Sequence, residues 1–231
     1  MEAVYPGGGV PWRGGRVMII AIDGPAAAGK GTLAARLAGH YGLPHLDTGL
    51  LYRAVAHVMV ARGLDVDDAT AAAAVARTID LSDLSDRALR GHTAGDFASR
   101  VAVHAEVRNA LLAFQQRFAQ RPGGAVLDGR DIGTAVCPNA DVKIFVTASA
   151  EVRARRRAEE LNAKGRSVSF ERILDEIRER DARDAGRSAA PLARARDAVL
   201  LDTTDLDPDG AFRAAVAIVD RGFRNALPQQ L

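Results

Sequence analysis

The chain has one cysteine, Cys137, in 231 residues. A single thiol can form no bridge within the chain and no thiolate zinc cluster, and it fits a reducing compartment. Aromatic residues are scarce, at 5%. Too few rings are available to stack a row of unpaired bases, and none is interleaved with the basic stretches, which argues against RNA as a partner. The net charge of +2 is too small for a nucleic-acid coat, although the pI is near 9.0. No apolar run approaches the roughly 20 residues of a membrane helix. The opening stretch, 1–16, is rich in Gly and Pro and lacks the apolar core of a secretory signal. It reads as a flexible tail. These exclusions point to a cytoplasmic protein with no membrane or nucleic-acid partner.

What is present is 48% hydrophobic and 26% charged, the balance of one large globular domain spanning 17–231. Short apolar runs alternate with helical patterns, which predicts an α/β fold with a parallel sheet and helices on both faces. Strands are expected at 17–22, 44–46, 125–127, 142–146 and 198–201. Three of the five end in an Asp, at 47, 128 and 202, on the sheet edge where open α/β sheets bind ligands. An Asp there is also an ordinary turn residue, and Asp202-Thr203-Thr204 is read that way. Helices are expected at 69–78, 149–163, 169–185 and 209–223. The stretch 97–120 is one long helix or two with a bend. The polar stretch 80–95 reads as a small insert.

The chain is organised around Gly24-Pro25-Ala26-Ala27-Ala28-Gly29-Lys30-Gly31-Thr32. A buried strand precedes it, and a helix with Leu33, Leu37 and Tyr41 on one face follows. In that context Gly-x4-Gly-Lys is a phosphate-binding loop. Glycines let successive N–H groups converge on one anion, and the helix start adds its positive dipole. Lys30 adds a mobile charge for the outer phosphates.

Three further groups carry chemistry. In 47–53, Asp47 or Thr48 caps a helix and Arg53 faces a possible substrate phosphate. In Asp128-Gly129-Arg130-Asp131, Asp128 lies beside the phosphate loop, where a carboxylate can orient metal-bound water. Arg130 offers a planar fork to a phosphate, and Asp131 an acceptor to an amine or hydroxyl. From Arg153 to Arg187 the chain is dense in arginine mixed with acids. Such mixing usually marks solvated helix faces. Here, however, Arg153 shares a face with Arg157, and Arg180 shares one with Asp184 and Arg187. Two helices broken at 164–167 form a mobile lid that would exclude water and bring positive charge to the phosphates.

Four segments in order, 20–32, 46–53, 127–134 and 179–192, resemble the bacterial cytidylate kinase family from about Val17 to Leu206. The ending Gly29-Lys30-Gly31-Thr32 is likewise similar to nucleoside monophosphate kinases, with Gly31 where other phosphate loops place Ser or Thr. The resemblance implies a three-layer P-loop kinase fold with a nucleoside-monophosphate insert and a helical lid. It implies a monomer that moves the γ-phosphoryl of ATP to CMP or dCMP. Magnesium would be held mainly by nucleotide phosphates and water, with no dedicated protein metal site. Gly24 to Thr32 match the ATP loop, and Lys30, Asp128, Arg130 and Arg180 are the expected catalytic groups. Asp47, Thr48 and Arg53 match positions facing the monophosphate. Ser99 and Arg108 match base contacts, and Asp131 a group near the cytosine amine. Arg130, Arg180, Asp184 and Arg187 match residues around the acceptor phosphate and ribose, and Arg156 and Arg157 match the lid. The chain departs from the family at about 80–98, where the insert is short, so selectivity for cytidylate over UMP or AMP is open. A nucleotide-dependent switch is the alternative from another class.

Overall fold

A computed structural model describes residues 17–80, 89 and 94–226. The tail 1–16 and most of the short insert lie outside the described residues. The sheet has five parallel strands in the order β2-β3-β1-β4-β5, formed by β1 (Met18–Asp23), β2 (His45–Asp47), β3 (Gly124–Gly129), β4 (Val142–Thr147) and β5 (Val199–Asp202). The expected strands are all present, displaced by a residue or two at their ends. The displacement matters at one place. The first strand runs on to Asp23, so four of the five strands contain an Asp in their last two residues, not three.

Around the sheet lie α1 (Lys30–Tyr41), α2 (Thr48–Ala61), α3 (Ala69–Thr78), α4 (Ala94–Val101) and α5 (Ala105–Ala119). They are followed by α6 (Ala150–Ala163), α7 (Phe170–Ala185) and α8 (Pro208–Ala226). The stretch 97–120 is therefore two helices, broken at Ala102-Val103-His104. A π-helical turn at Ile132–Val136, which the sequence did not announce, follows β3.

Period-two alternation in β1 divides the core. Met18, Ile20 and Ile22 face one way, with Leu33, Leu37 and Tyr41 of α1 and Ala215 and Val219 of α8. Ile19 and Ala21 face the other way, with Ala119 of α5 and Ile132 and Val136 of the π turn. A third apolar cluster joins α2, α3, α4 and α5. A fourth joins α6 and α7. The chain leaves β1 toward β2 at one edge and leaves β3 toward β4 on the other side. Because β1 and β3 are neighbours, a crevice opens between their carboxyl ends, the place where ligands bind in such sheets.

Asp23 closes the floor of that crevice. Its carboxylate accepts hydrogen bonds from the backbone N–H groups of Ile132 and Gly133, each at 2.7 Å. This ties the end of β1 to the turn after β3. Burial pushes its carboxyl up to about 6, against the pull of those two N–H groups.

Leu37 is fully buried, so Leu37→Ala is expected to lower stability by about 2–5 kcal/mol in urea unfolding. Val60→Ala, at an exposed position, should change it by less than about 0.5 kcal/mol. Asp23 gives a pH signature. Between its ordinary 3.8 and about 6 the folded chain holds more protons at Asp23 than the unfolded chain. Stability contributed there therefore falls as pH rises through that window and levels off above it. The stability advantage of wild type over Asp23→Asn should shrink from roughly pH 4 to roughly pH 6, measured by urea midpoints, since Asn has no such titration. A difference that stays flat with pH would refute the assignment.

Candidate active site

The phosphate loop runs from β1 into α1. Gly24 has φ +146, and a Cβ there would stand 1.9 Å from the Val146 carbonyl oxygen of β4. Only glycine permits that approach. Gly29, at φ 86, is the N-cap of α1 and offers no side chain to the first turn. The helix-start N–H groups are thus left for an anion. Lys30 is buried, and its Nζ donates to the Pro25 carbonyl at 2.7 Å, folding back across the loop. Burial lowers its ammonium to about 7, and the neighbouring Arg130 adds to the effect.

The ends of β2 and β3 meet beside it. Asp47 is the cap of α2, accepting from Gly49 N–H at 2.9 Å. Burial raises its carboxyl, with Asp128 reinforcing the shift. Thr48 Oγ1 donates to the Asp128 carbonyl at 2.8 Å, locking the start of α2 to the end of β3. The Asp128 carboxylate pairs with His45 Nε2 at 2.7 Å. Its other oxygen lies 4.0 Å from where a Cβ on Gly31 would be, so the acid does face the phosphate loop.

Asp184 on α7 is the centre of the cationic group. It is buried and accepts from Arg130 Nε at 2.8 Å and from Ser99 Oγ at 3.2 Å. Arg187 Nη2 stands 3.4 Å away, and Arg187 Nε donates to the Asp184 carbonyl at 3.1 Å. Burial alone would raise the Asp184 carboxyl. Arg130, Arg187 and Arg180 together outweigh it and hold the group below the usual range. Arg180 is drawn down to about 10 by burial and by Arg130. Arg53 Nε, Arg180 Nε and Arg187 Nη2 are buried without a hydrogen-bond partner. Buried donors of this kind are normally satisfied, so these guanidinium N–H groups, unbonded among the described residues, are available to an anion. Nearby, Arg108 and Asp131 form a buried ion pair, with the guanidinium 5.5 Å from the Tyr52 ring centroid.

A second concavity opens on the far side of the phosphate loop. It is lined by Ala28, Gly29, Leu33, Arg36, Arg156 and Leu206, among others. Arg156 donates to the Thr203 carbonyl at 2.6 Å and to the Leu206 carbonyl at 3.2 Å. It thus forms a wall of that cavity. Arg157 instead pairs with Glu160 at 2.7 Å, beside Lys164 on the same carboxylate. The expectation that Arg153 and Arg157 present two cations together does not hold. Arg153 is buried and turned inward, paired with Asp181 at 2.7 Å, while Arg157 remains on the surface pair.

The structure therefore brings Lys30, Asp128, Arg130, Arg180, Asp184 and Arg187 into one region, with Arg53 and Ser99 at its border. It sets Arg156 on the second cavity. Sequence reasoning missed Asp23 and His45, and it set Arg153 on a shared face with Arg157 rather than against the phosphate loop. Asp23 was legible as a further strand-ending Asp. His45 lies two residues before Asp47 on β2, and Asp47 is in register with Asp128, so the pairing is diagonal across adjacent strands. Nothing in the local sequence marked Thr203, read as a turn residue, as buried in the cavity wall.

The comparisons with known proteins follow the same lines. A solved structure of an uncharacterized protein from Eubacterium ventriosum superposes with a TM-score of 0.52 at 16% identity, covering 89% of this chain and 99% of that one. That similarity concerns the fold. A cytidylate kinase from Methylocella silvestris is 59% identical over 88% of this chain and 94% of its own length. One from Xanthobacter autotrophicus is 60% identical over 88% of this chain and 97% of its own. A sequence model of the family described as cytidylate kinase matches residues 20–220. With that match spanning nearly the whole described chain, the protein belongs to the cytidylate kinase family.

Proposed function

We propose that this chain transfers the γ-phosphoryl group of ATP to the 5′-phosphate of CMP or dCMP, giving ADP and the cytidine diphosphate. The observation that carries this is the group of buried cations beside the phosphate loop. Lys30 and Arg180 are both held below their ordinary pKa by burial and by Arg130, and three guanidinium donors find no hydrogen-bond acceptor among the described residues. Charges so crowded fit two phosphates, whose oxygens would accept from the orphaned N–H groups and relieve the repulsion.

The roles follow from position. The amides of 24–32 and Lys30 hold the donor phosphates. Arg53, Arg130, Arg180 and Arg187 hold the acceptor phosphate, and Asp184 fixes Arg130 and Arg187 by direct contact. The acceptor phosphate is already a nucleophile, so no covalent intermediate on the protein is needed. Catalysis is alignment of two anions and cancellation of their repulsion. Asp131 offers only acceptors, which suits the exocyclic amine of cytosine, and Arg108 and Ser99 supply donors for its ring. The cavity of Arg36, Arg156 and Leu206 lies on the donor side and would take the ATP base.

Magnesium fits the donor set in a limited way. No group of three His, Cys, Asp or Glu among the described residues could cage an ion. Asp128, facing the phosphate loop, and the exposed Thr32 would orient its water shell, with the nucleotide oxygens as principal ligands. Bound there, the ion neutralises phosphate charge. The helices α6 and α7 would close as a lid and exclude water. Residues 17–231 act as one kinase domain, with 80–98 as the trimmed insert, and the protein works as a cytoplasmic monomer on free nucleotides.

ADP release measured with CMP, dCMP, UMP and AMP tests the reading. Turnover should depend on a cytidine monophosphate. Slow hydrolysis indifferent to every acceptor would mark a nucleotide switch instead. Lys30→Ala should lower turnover by roughly a hundredfold or more while CMP still binds, because the lost charge acts on the transferring group. ATP binding should draw a proton onto Lys30, since phosphates raise a pKa now near 7. ATP affinity therefore declines as pH rises above that value, and calorimetry in buffers of different ionisation heat should show uptake in wild type that Lys30→Met abolishes. Asp131→Asn can also donate a hydrogen bond, which uracil O4 would accept. It should shift the CMP/UMP ratio of kcat/KM toward UMP by about tenfold or more, the usual scale for an unpaired polar group in such a site.

A further inference from the structure

The phosphate loop contains a residue in an unfavourable conformation. Ala27 has φ 57, in the left-handed region, although it carries a Cβ. An L residue there is strained by about 1–2 kcal/mol relative to the right-handed region, and something must hold it. The residue on its N-terminal side, Ala26, is held through its carbonyl by Arg153 Nη1 at 3.2 Å. The same guanidinium donates from Nε to the Ala148 carbonyl at 2.9 Å, at the exit of β4. Its Nη2 pairs with Asp181 of α7 at 2.7 Å. Arg153 is 5% exposed, so these bonds are largely shielded from water. Ala27 itself packs on the apolar cluster of Ala154, Ala158, Leu161, Ile173 and Ile177, which is the seam between α6 and α7.

We infer that Arg153 is a positioning residue that sets the backbone of the phosphate loop and ties it to α7, the helix that carries Arg180 and Asp184. One guanidinium fork spans three elements: the loop at Ala26, the end of β4 at Ala148 and the lid helix at Asp181. By fixing the Ala26 carbonyl it holds the peptide leading into Ala27 and so keeps the following N–H groups pointed at one anion. Through Asp181, one turn before Asp184, the geometry of the donor loop is linked to that of the acceptor-side cations. The inference rests on the reading that 24–32 holds the ATP phosphates.

The experiment measures binding of a non-hydrolysable ATP analogue with magnesium by calorimetry. Wild type is expected to bind. Arg153→Met should weaken binding roughly tenfold or more, the scale of a lost charge-assisted hydrogen bond. Adding Ala27→Gly to Arg153→Met should recover roughly fivefold, because glycine adopts the left-handed region without the Cβ clash. Ala27→Gly alone is measured in the same titration as the reference, and should gain less over wild type than the double variant gains over Arg153→Met. A residue with a merely structural role would show no such rescue. Asp181→Asn, which leaves Arg153 in place without its counter-charge, should weaken binding by a smaller factor and stands in if Arg153→Met does not fold. Wild-type-like binding by Arg153→Met, a rescue absent from the double variant, or, where Arg153→Met does not fold, unchanged binding by Asp181→Asn overturns the inference. Failure of wild type itself to bind the analogue would overturn the functional reading, and the inference with it.

Discussion

A single buried carboxylate, Asp184, faces three guanidiniums, and the rest of the site depends on that imbalance. Like charges gathered in a partly desolvated crevice repel one another, and burial makes each harder to keep ionised. The site tolerates this because Asp184 takes Arg130 through Nε and holds Arg187 by both its backbone and its side chain. Among the described residues three guanidinium N–H groups here stay without a hydrogen-bond partner, and they are donors that phosphate oxygens match well. An anion accepting from these N–H groups would offset the repulsion among them.

Backbone geometry supplies the counterpart. The approach of Gly24 to the Val146 carbonyl brings the loop against β4, and the bare N-cap of α1 leaves the helix-start amides open. Asp23 pins the turn after β3 to the same strand end. The phosphate loop and the segment Arg130-Asp131 are thus fastened to one piece of sheet. Relative placement of two phosphates is what such a reaction needs, and a parallel sheet provides it because neighbouring strands end together.

The pair α6 and α7 is not a separate arginine-bearing flap. Its inner seam includes Ala27 of the phosphate loop, and Arg153 and Asp181 join it to the sheet. Arginines that look alike along the chain divide into three uses. Arg153 braces the backbone, Arg156 walls a cavity through Thr203 and Leu206, and Arg157 stays in a surface pair with Glu160. Burial sets Arg153 apart from the other two, and the partner each one meets separates Arg156 from Arg157.

Sequence by itself determined the parallel α/β order, the phosphate loop and the residue types at the strand ends, because periodicity, glycine spacing and strand-ending Asp are local signals. It also placed Asp47, Thr48, Asp128 and Arg130 correctly at the sheet edge, since a strand end implies that edge. Tertiary structure alone decided which charges would pair. The contacts His45–Asp128, Ser99–Asp184 and Arg153–Ala26 join residues 83, 85 and 127 positions apart. No local pattern encodes such distances. They arise when packing of strands and helices brings remote side chains into the same dry space, where a partner becomes obligatory.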